Sequence, residues 1–424
     1  MQLENVSAEQ LQQWEAELSA EYETLLSQKL NLDLTRGKPS SEQLSLSDAL
    51  DGLLQGNYTS IDGTDVRNYG GLDGIAEAKQ MGANVFGVTP DQVLVGGNSS
   101  LSLMFQAVSF AYSFGLTDST QAWKDVDSPT FICPVPGYDR HFTVCEQLGI
   151  NMVTVPMLSD GPDMDAVETL IKNDHSIRGM WCVPKYSNPT GVIYSDTTVD
   201  RIAQLGNIAQ AGFRVFWDNA YAVHDLGTPK PLANIADACE KHGTSDSVLQ
   251  FASTSKITHA GSGIAFMSAS TANLKGFKAA LGTSSIGPDK VNQLRHCKLL
   301  PTADALTQHM QKHASILTPR FTCVLDNLEQ DFAGTDLGTW EKPTGGYFIS
   351  FDTQAGCAKE VVRLAAEAGV KLTPAGATFP YGDDPKDSNI RIAPSVPLVD
   401  EVDRAMKVFG VCVKLVSVRN KIKA

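Results

Sequence analysis

One lysine, Lys256, carries the strongest chemical signal in this sequence. It follows an apolar run at 248–252 that is typical of a β-strand, with small hydroxyl residues at 253–255 before it and glycines at 261 and 263 after it. Burial at a strand end would lower the pKa of its amine and make it a nucleophile. The hydroxyls and backbone N–H groups could hold a phosphate nearby. The pattern fits a Schiff-base lysine beside a phosphorylated carbonyl cofactor, or a solvated lysine in a Ser/Gly loop.

Three further polar residues follow apolar runs. Asp218 ends a run at 213–217, where a poorly solvated carboxylate needs a cationic partner such as a protonated ring nitrogen. Tyr221 comes three residues later and could reach the same ligand. Asn188 lies in the proline-rich turn 184–191 and could donate a hydrogen bond to a phenolate-like oxygen. The structural alternatives are a helix N-cap for Asp218 and a turn initiator for Asn188.

Two other turns could bind anions. The Gly/Ser turn 96–100 precedes a helical pattern, and a helix N-terminus with the hydroxyls of Ser99 and Ser100 forms an anion site. A simple N-cap at Asn98 or Ser99 explains this turn equally well. The turn around Gly37 is flanked by cations, so it is either a binding loop or a solvated one.

Alternating strands and helices must position these residues. The pattern predicts an α/β domain with a largely parallel sheet of seven strands, because helical patterns separate several of the apolar runs. Those runs lie at 93–95, 130–133, 152–155, 179–183, 213–217, 248–252 and 264–267. Ligands gather outside the carboxyl ends of parallel strands. Since the polar turns all follow strand ends, we expect one composite site.

The order of predicted helices and strands changes after about residue 301. A long helical stretch at 303–331 leads to a strand at 345–351 and a mixture of helices and strands, ending in a helix from Val399. We therefore expect three parts: an N-terminal helix and arm at 1–49 that joins a small domain, a large ligand-binding domain at 50–300, and the small α+β domain at 301–424.

Composition excludes several classes of protein. The 424 residues are 42% hydrophobic and 19% charged, and the net charge of −14 opposes binding to nucleic acid or an anionic membrane. No apolar run is long enough to span a bilayer, and the N-terminus lacks the features of a secretory signal. The eight cysteines are scattered, which favours neither disulfides nor a metal site. We expect a cytoplasmic protein with no metal, nucleic-acid or membrane partner.

Several motifs in order resemble one family. Ser-Asn-Pro-Thr-Gly at 187–191, Asp-x-x-Tyr at 218–221 and Ser-x-Ser-Lys at 253–256 resemble the fold-type I, pyridoxal-phosphate (PLP)-dependent aminotransferases of the class I/II aspartate aminotransferase superfamily. The likeness extends over nearly the whole chain, and the stretches 32–39 and 136–141 resemble a divergent bacterial, MocR-like branch. It implies a large domain with a mostly parallel seven-stranded sheet flanked by helices, and a smaller α+β domain.

The resemblance also implies residue roles. Lys256 would form the internal aldimine with PLP and shuttle a proton as general base and acid. Asp218 would hold the pyridinium nitrogen, while Asn188 and Tyr221 would hold the phenolate oxygen. Arg391 would bind the substrate α-carboxylate bidentately. The remaining cofactor contacts would be Asn98, Ser99, Ser100, Ser253 and Ser255 around the phosphate, Tyr138 stacked on the ring, and Tyr69 from the second subunit of a homodimer that shares its active sites.

Two departures from the family pattern concern cations. The family places an arginine near the second glycine after the lysine, whereas this sequence offers Ser262 or the neighbouring His259. Familiar aspartate aminotransferases bind the distal carboxylate with an arginine in the segment that corresponds to 281–287, which has none here. The candidates that remain are Arg36, Lys38 and Arg140, with Gly37 in the same turn as the first two.

The implied reaction is ping-pong transfer of the amino group of an acidic amino acid, L-aspartate, to 2-oxoglutarate. The same fold also serves aminotransferases of neutral or aromatic amino acids and β-lyases. A PLP-binding regulator domain without turnover is a further alternative. That alternative needs a basic DNA-binding segment ahead of the family match, and the sequence has only an acidic amphipathic helix there.

Overall fold

The computed structural model describes residues 1–4, 6–118 and 121–424. The strands are β1 Leu32–Leu34, β2 Val93–Val95, β3 Thr130–Val135, β4 Asn151–Leu158, β5 Gly161–Pro162, β6 Ile177–Cys182, β7 Arg214–Asp218, β8 Val248–Ser253, β9 Ala265–Ser268, β10 Gly338–Trp340, β11 Ile349–Thr353, β12 Val370–Leu372 and β13 Asn389–Ile392. The α-helices are α1 Ala8–Ser27, α2 Ser41–Ser45, α3 Ala76–Phe86, α4 Ser100–Phe114, α5 Asp139–Leu148, α6 Met164–Asn173, α7 Asp196–Gln204, α8 Ile235–His242, α9 Thr271–Leu281, α10 Lys290–Leu299, α11 Ala303–Phe332, α12 Ala358–Glu367 and α13 Val399–Lys423.

The largest sheet has eight strands in the order β2-β9-β8-β7-β6-β3-β4-β5. Strands β8, β7, β6, β3 and β4 pair in parallel, while β9 is antiparallel to both β8 and β2. The predicted mostly parallel sheet is therefore confirmed, with all seven predicted strands. The eighth strand, β5, contributes only two residues, antiparallel to β4, and is too short to leave a pattern in the sequence.

The central strands are apolar along their whole length because both faces of the sheet are covered. Every residue of β6 and β7 is buried. On one face an aromatic cluster packs against α4 and α5, with Phe131 beside Trp181 and Phe216 at ring-centroid distances of 5.5 Å. On the other face the core includes α6, α7 and α8. These layers form a rigid support for the loops at the carboxyl edge.

The N-terminal segment packs with the C-terminal elements. Leu11, Leu18 and Tyr22 of α1 are buried in the same apolar cluster as α11, α12 and α13. Strand β1 pairs in parallel with β12, and β10, β11 and β13 form a separate antiparallel sheet. The domain boundaries at 49 and 300 remain a prediction.

One predicted strand begins later than the sequence suggested. The run at 345–351 becomes a strand only from Ile349. Gly345 and Gly346 instead pass against the ring of Tyr186, where any side chain at 345 would collide with that ring. The glycines thus permit a close approach between the turn after β6 and the C-terminal part of the chain. Within the described ranges, no helix is both long and apolar enough to cross a membrane.

Candidate active site

The predicted site residues converge at the carboxyl edge of the large sheet. Lys256 follows β8, Asp218 is the last residue of β7, Asn188 follows β6 and Tyr138 follows β3. These four strands are neighbours in the sheet. Because β9 runs in the opposite direction, its approach segment at 261–263 reaches the same edge, beside the turn 98–100 that follows β2.

Lys256 lies in a partly exposed position at the base of this cleft. Its amine is 5.1 Å from the ring centroid of Tyr221. Burial lowers the pKa of the Lys256 amine, and the nearby charge of Asp218 opposes that shift. The backbone carbonyl of Lys256 accepts a hydrogen bond from the Tyr347 hydroxyl (3.2 Å) and faces His224 Nε2 (3.4 Å). Tyr347 and His224 therefore fix the backbone at Lys256.

Asp218 is a buried carboxylate with one oxygen to spare. Its Oδ2 accepts a hydrogen bond from His141 Nε2 at 3.1 Å, and the His141 ring stacks on Trp181 with centroids 4.3 Å apart. In the part of the chain that the structure describes, Oδ1 is buried without any hydrogen-bond partner. Leaving such an atom unpaired is costly, so the site suits a cationic N–H donor. We name Asp218, His141 and Trp181 the ring end.

The two residues expected at a ring oxygen, Tyr221 and Asn188, each offer a hydrogen-bond donor. Tyr221 is buried, and its pKa is raised well above the usual value, mainly by burial and then by the nearby Tyr138 and Asp218 groups. Its hydroxyl therefore keeps its proton and can donate. Asn188 Oδ1 accepts from Arg391 Nη1 at 3.2 Å, so its amide nitrogen faces away from that contact and has no acceptor among the described residues.

Arg391, on β13, is buried and held on several sides. Its Nη1 also donates to Asp139 Oδ1 at 3.0 Å, and its Nε donates to Thr373 Oγ1 at 3.3 Å. The guanidinium carbon lies 4.8 Å from the ring centroid of Phe348. A Cβ at Gly37 would come within 2.5 Å of that ring. Gly37 therefore allows the N-terminal arm to press Phe348 against Arg391.

The second half of the site is a cup of turn residues, which we name the phosphate cup. Ser99 is the N-cap of the 15-residue helix α4, but its side chain makes no capping hydrogen bond. Ser255 Oγ donates to the carbonyl of Asn98 at 2.7 Å, and Asn98 Nδ2 donates to the carbonyl of Gly261 at 3.1 Å. A helix N-terminus with adjacent hydroxyls fits a phosphate. The cup comprises residues 98–100, Ser253, Ser255 and 261–263.

His259, the candidate cation for the phosphate cup, contacts a carboxylate instead. His259 faces Asp48, with 3.4 Å between Nε2 and Oδ1. The carbonyl of Ser262 accepts from Asn292 Nδ2 at 2.8 Å, and Asn292 Oδ1 accepts from Arg295 Nε at 2.7 Å. Hydrogen bonds thus connect Arg295 to the cup through one asparagine. No motif in the sequence pointed to Arg295, because α10 is distant along the chain from the motifs of the cup.

Several predicted residues stand outside this cleft. Tyr69 is 85% exposed, and the buried Lys290 amine donates to the carbonyls on either side of it. Its loop is therefore held so that the tyrosine points away from its own chain. Arg36 and Lys38 are exposed and make no ion pair among the described residues, whereas Arg140 Nε lies 4.0 Å from Asp139 Oδ2.

His141 and Asp139 are two further site residues that the sequence did not predict. Both lie in the stretch 136–141, whose likeness to a family branch was the only signal, and neither was given a role. Their partners Asp218 and Arg391 are 77 and 252 residues away in the chain. Only the fold reveals that one short segment after β3 contacts both Asp218 and Arg391.

The fold and this site define a class of protein, the fold-type I, PLP-dependent aminotransferases. A family model described as aspartate amino-transferase matches residues 6–424, and the chain belongs to that family. It is 45% identical to an aspartate aminotransferase of Corynebacterium glutamicum, across 97% of this chain and 96% of the relative. A crystal structure of an aspartate transaminase from C. glutamicum superposes with a TM-score of 0.96 at 44% identity, covering 99% of both chains.

A more distant structure shows the same fold. An α-aminoadipate aminotransferase of Thermus thermophilus, complexed with N-(5'-phosphopyridoxyl)-L-leucine, has a TM-score of 0.75 at 21% identity, covering 91% of this chain and 93% of its own. The fold of this chain is thus one that the aminotransferases share well beyond its close relatives.

Proposed function

We propose that this protein binds PLP and transfers the amino group of L-aspartate to 2-oxoglutarate in a ping-pong reaction. The observation that carries the proposal is the arrangement of three residues around one cleft: a lysine whose amine has a lowered pKa, a buried aspartate with an oxygen unpaired among the described residues, and a buried arginine. The 45% identical relative named aspartate aminotransferase supports the choice of substrate.

The residues of the cleft fit the cofactor at both ends. Asp218 Oδ1 would accept a hydrogen bond from the ring nitrogen and keep it protonated, and Asn188 and Tyr221 would donate to the ring oxygen. The side chains and backbone N–H groups of the phosphate cup would bind the phosphate, while Tyr138 would cover the ring. When bound, PLP supplies an electron sink for negative charge that develops at the substrate Cα.

Lys256 would move the proton. Because burial lowers the pKa of its amine, a larger fraction is neutral near pH 7 and able to accept a proton from the substrate Cα at Nζ. Asp218, held in position by His141, would act as the fixed hydrogen-bond acceptor and counter-ion of the ring nitrogen. Lys256 and Asp218 therefore have separate roles as mobile base and fixed charge.

Arg391 would orient the substrate through its α-carboxylate. Among the candidates for the distal carboxylate we favour Arg140, because it belongs to α5 directly after Tyr138 and Asp139 and so borders the same cleft. Arg36 and Lys38 flank Gly37, which packs against Phe348 beside Arg391. A second arginine at a suitable distance would select a dicarboxylic substrate over a neutral one.

We further propose a cytoplasmic homodimer with shared active sites. Lys290 braces the loop of Tyr69 so that this large side chain faces outward, which is costly for an isolated chain but useful if a second copy covers it. In the dimer Tyr69 would complete the phosphate cup of the other subunit. Light scattering of the purified holoenzyme would reveal a monomer if this proposal is wrong.

An assay of the PLP-loaded protein tests the proposed reaction. With L-aspartate and 2-oxoglutarate we expect oxaloacetate and glutamate to form with a kcat of roughly 1–10³ s⁻¹. No oxaloacetate, together with turnover of alanine or phenylalanine, would contradict aspartate as the donor and support the neutral or aromatic alternative. Arg140→Met should raise KM for aspartate but leave alanine turnover unchanged, and Arg404→Met, at an exposed arginine of α13, is the matched control.

A further inference from the structure

Asp139 holds the arginine that the substrate needs. Its Oδ1 is 3.0 Å from Arg391 Nη1, and the side chain of Arg391 is only 6% exposed. Asn188 Oδ1 accepts from the same Nη1 at 3.2 Å. In the described chain the two N–H groups of Nη1 thus have two acceptors, while Nη2 makes no hydrogen bond.

A substrate carboxylate cannot bind end-on to this guanidinium while both contacts remain. Bidentate binding requires one N–H from Nη1 and one from Nη2. The contact between Asn188 and Arg391 is expected to remain, because it directs the amide nitrogen of Asn188 toward the proposed ring oxygen. The contact between Asp139 and Arg391 orients no group toward the cofactor, and two carboxylates on one guanidinium would repel each other. Asp139 is therefore the group that leaves.

The surroundings of Asp139 can accommodate its carboxylate once it has left Arg391. It is the first residue of α5, where the helix dipole stabilises a negative charge. Its side chain is 29% exposed, and Arg140 Nε lies 4.0 Å from its other oxygen. Rotation toward solvent would let water hydrate the carboxylate after it releases Arg391.

We infer that Asp139 is an internal competitor that occupies Arg391 until the α-carboxylate of the substrate displaces it, and so sets the affinity for substrate. The inference rests on the proposed function only for the role of Arg391. It assigns Asp139 an effect opposite to that of a supporting residue, which would strengthen binding by holding Arg391 in position.

The test is a calorimetric titration of the holoenzyme with maleate, a dicarboxylate that has no amino group to transfer. Asp139→Asn keeps the size of the side chain but removes the charge, and we expect it to bind maleate roughly fivefold more tightly, because a partly exposed ion pair is worth about 1 kcal/mol. KM for aspartate should fall by a similar factor without a rise in kcat. Asp139→Glu should stay close to wild type, since it keeps the charge. Asp237→Asn, an exposed single-charge control on α8, should change nothing.

Unchanged or weaker maleate binding by folded Asp139→Asn would overturn the inference. Thermal unfolding of each variant shows whether it is folded, and a misfolded Asp139→Asn would shift the comparison to Asp139→Ser. If the wild-type protein neither binds maleate nor transaminates aspartate, the proposed substrate is wrong instead. The same variants compared by their KM for whichever amino acid is turned over then test Asp139, because every amino acid carries an α-carboxylate.

Discussion

The ring end and the phosphate cup would grip opposite ends of the same cofactor, yet they are built differently. At the ring end, Asp218, His141 and Trp181 are buried, come from two strands and a helix, and hold one another by a hydrogen bond and ring stacking. The cup consists of turn residues, most of them partly or fully exposed, that are linked mainly through backbone carbonyls.

This difference separates two physical tasks. A buried charge must have its partner in a fixed position, so each ring-end residue is hard to replace. A phosphate bound by a helix N-terminus and backbone N–H groups depends less on any one side chain. The segment 257–263, where the family resemblance led us to expect an arginine, contains none, which is consistent with this tolerance. We therefore expect substitutions at the ring end to impair catalysis and those in the cup to impair cofactor affinity.

The largest effect should come from Asp218→Asn. The variant keeps the shape of the side chain but loses the charge that would keep the ring nitrogen protonated, so we expect kcat to fall on the order of 10³-fold. Steady-state kinetics with aspartate measures this. Asp237→Asn serves as the single-charge control, and a kcat within tenfold of wild type would show that Asp218 does not have this role.

His141→Phe should have the next largest effect. The phenyl ring can still stack on Trp181 but leaves Asp218 Oδ2 without its donor, at a cost of about 1–3 kcal/mol in the free energy of unfolding. We expect kcat to fall roughly tenfold, because Asp218 loses its orientation but keeps its charge. Chemical denaturation and kinetics of the same preparation measure both quantities. Unchanged values of both would remove His141 from the ring end.

Ser255→Ala should have the smallest effect and a different character. It removes one hydroxyl, which donates to the Asn98 carbonyl, and leaves the backbone donors of the cup intact. We expect the Kd for PLP to rise roughly fivefold, with kcat almost unchanged at saturating cofactor. Fluorescence titration of the apoprotein measures the Kd. A loss of kcat comparable with that of Asp218→Asn would erase the distinction between the two regions.

The sequence predicted the helices and strands of the fold well, but only some of the contacts between them. Strand β2 and the start of α13 agree with the structure to the residue, because short apolar runs and strong helical periodicity are local signals. The positions of Lys256, Asp218 and Asn188 at neighbouring strand ends also followed from the pattern. The strand expected at 345–351, in contrast, begins only at Ile349.

What the sequence did not predict depends on tertiary contacts. The pairs His141–Asp218 and Asp139–Arg391 join residues that are far apart in the chain, and nothing in their local sequence distinguishes them from surface polar residues. The outward support of Tyr69 by Lys290 is likewise visible only once the fold places α10 beside that loop. Such contacts require the packing of the whole chain.

The central claim is that Lys256 moves the proton at the substrate Cα, and isotope exchange tests it most directly. Holoenzyme is incubated in ordinary water with L-aspartate deuterated at Cα, and the remaining deuterium is followed by NMR. We predict that the wild-type protein exchanges the label, whereas folded, PLP-loaded Lys256→Ala retains it, with exchange slowed at least roughly 10⁴-fold. Exchange by Lys256→Ala at the wild-type rate would contradict the account.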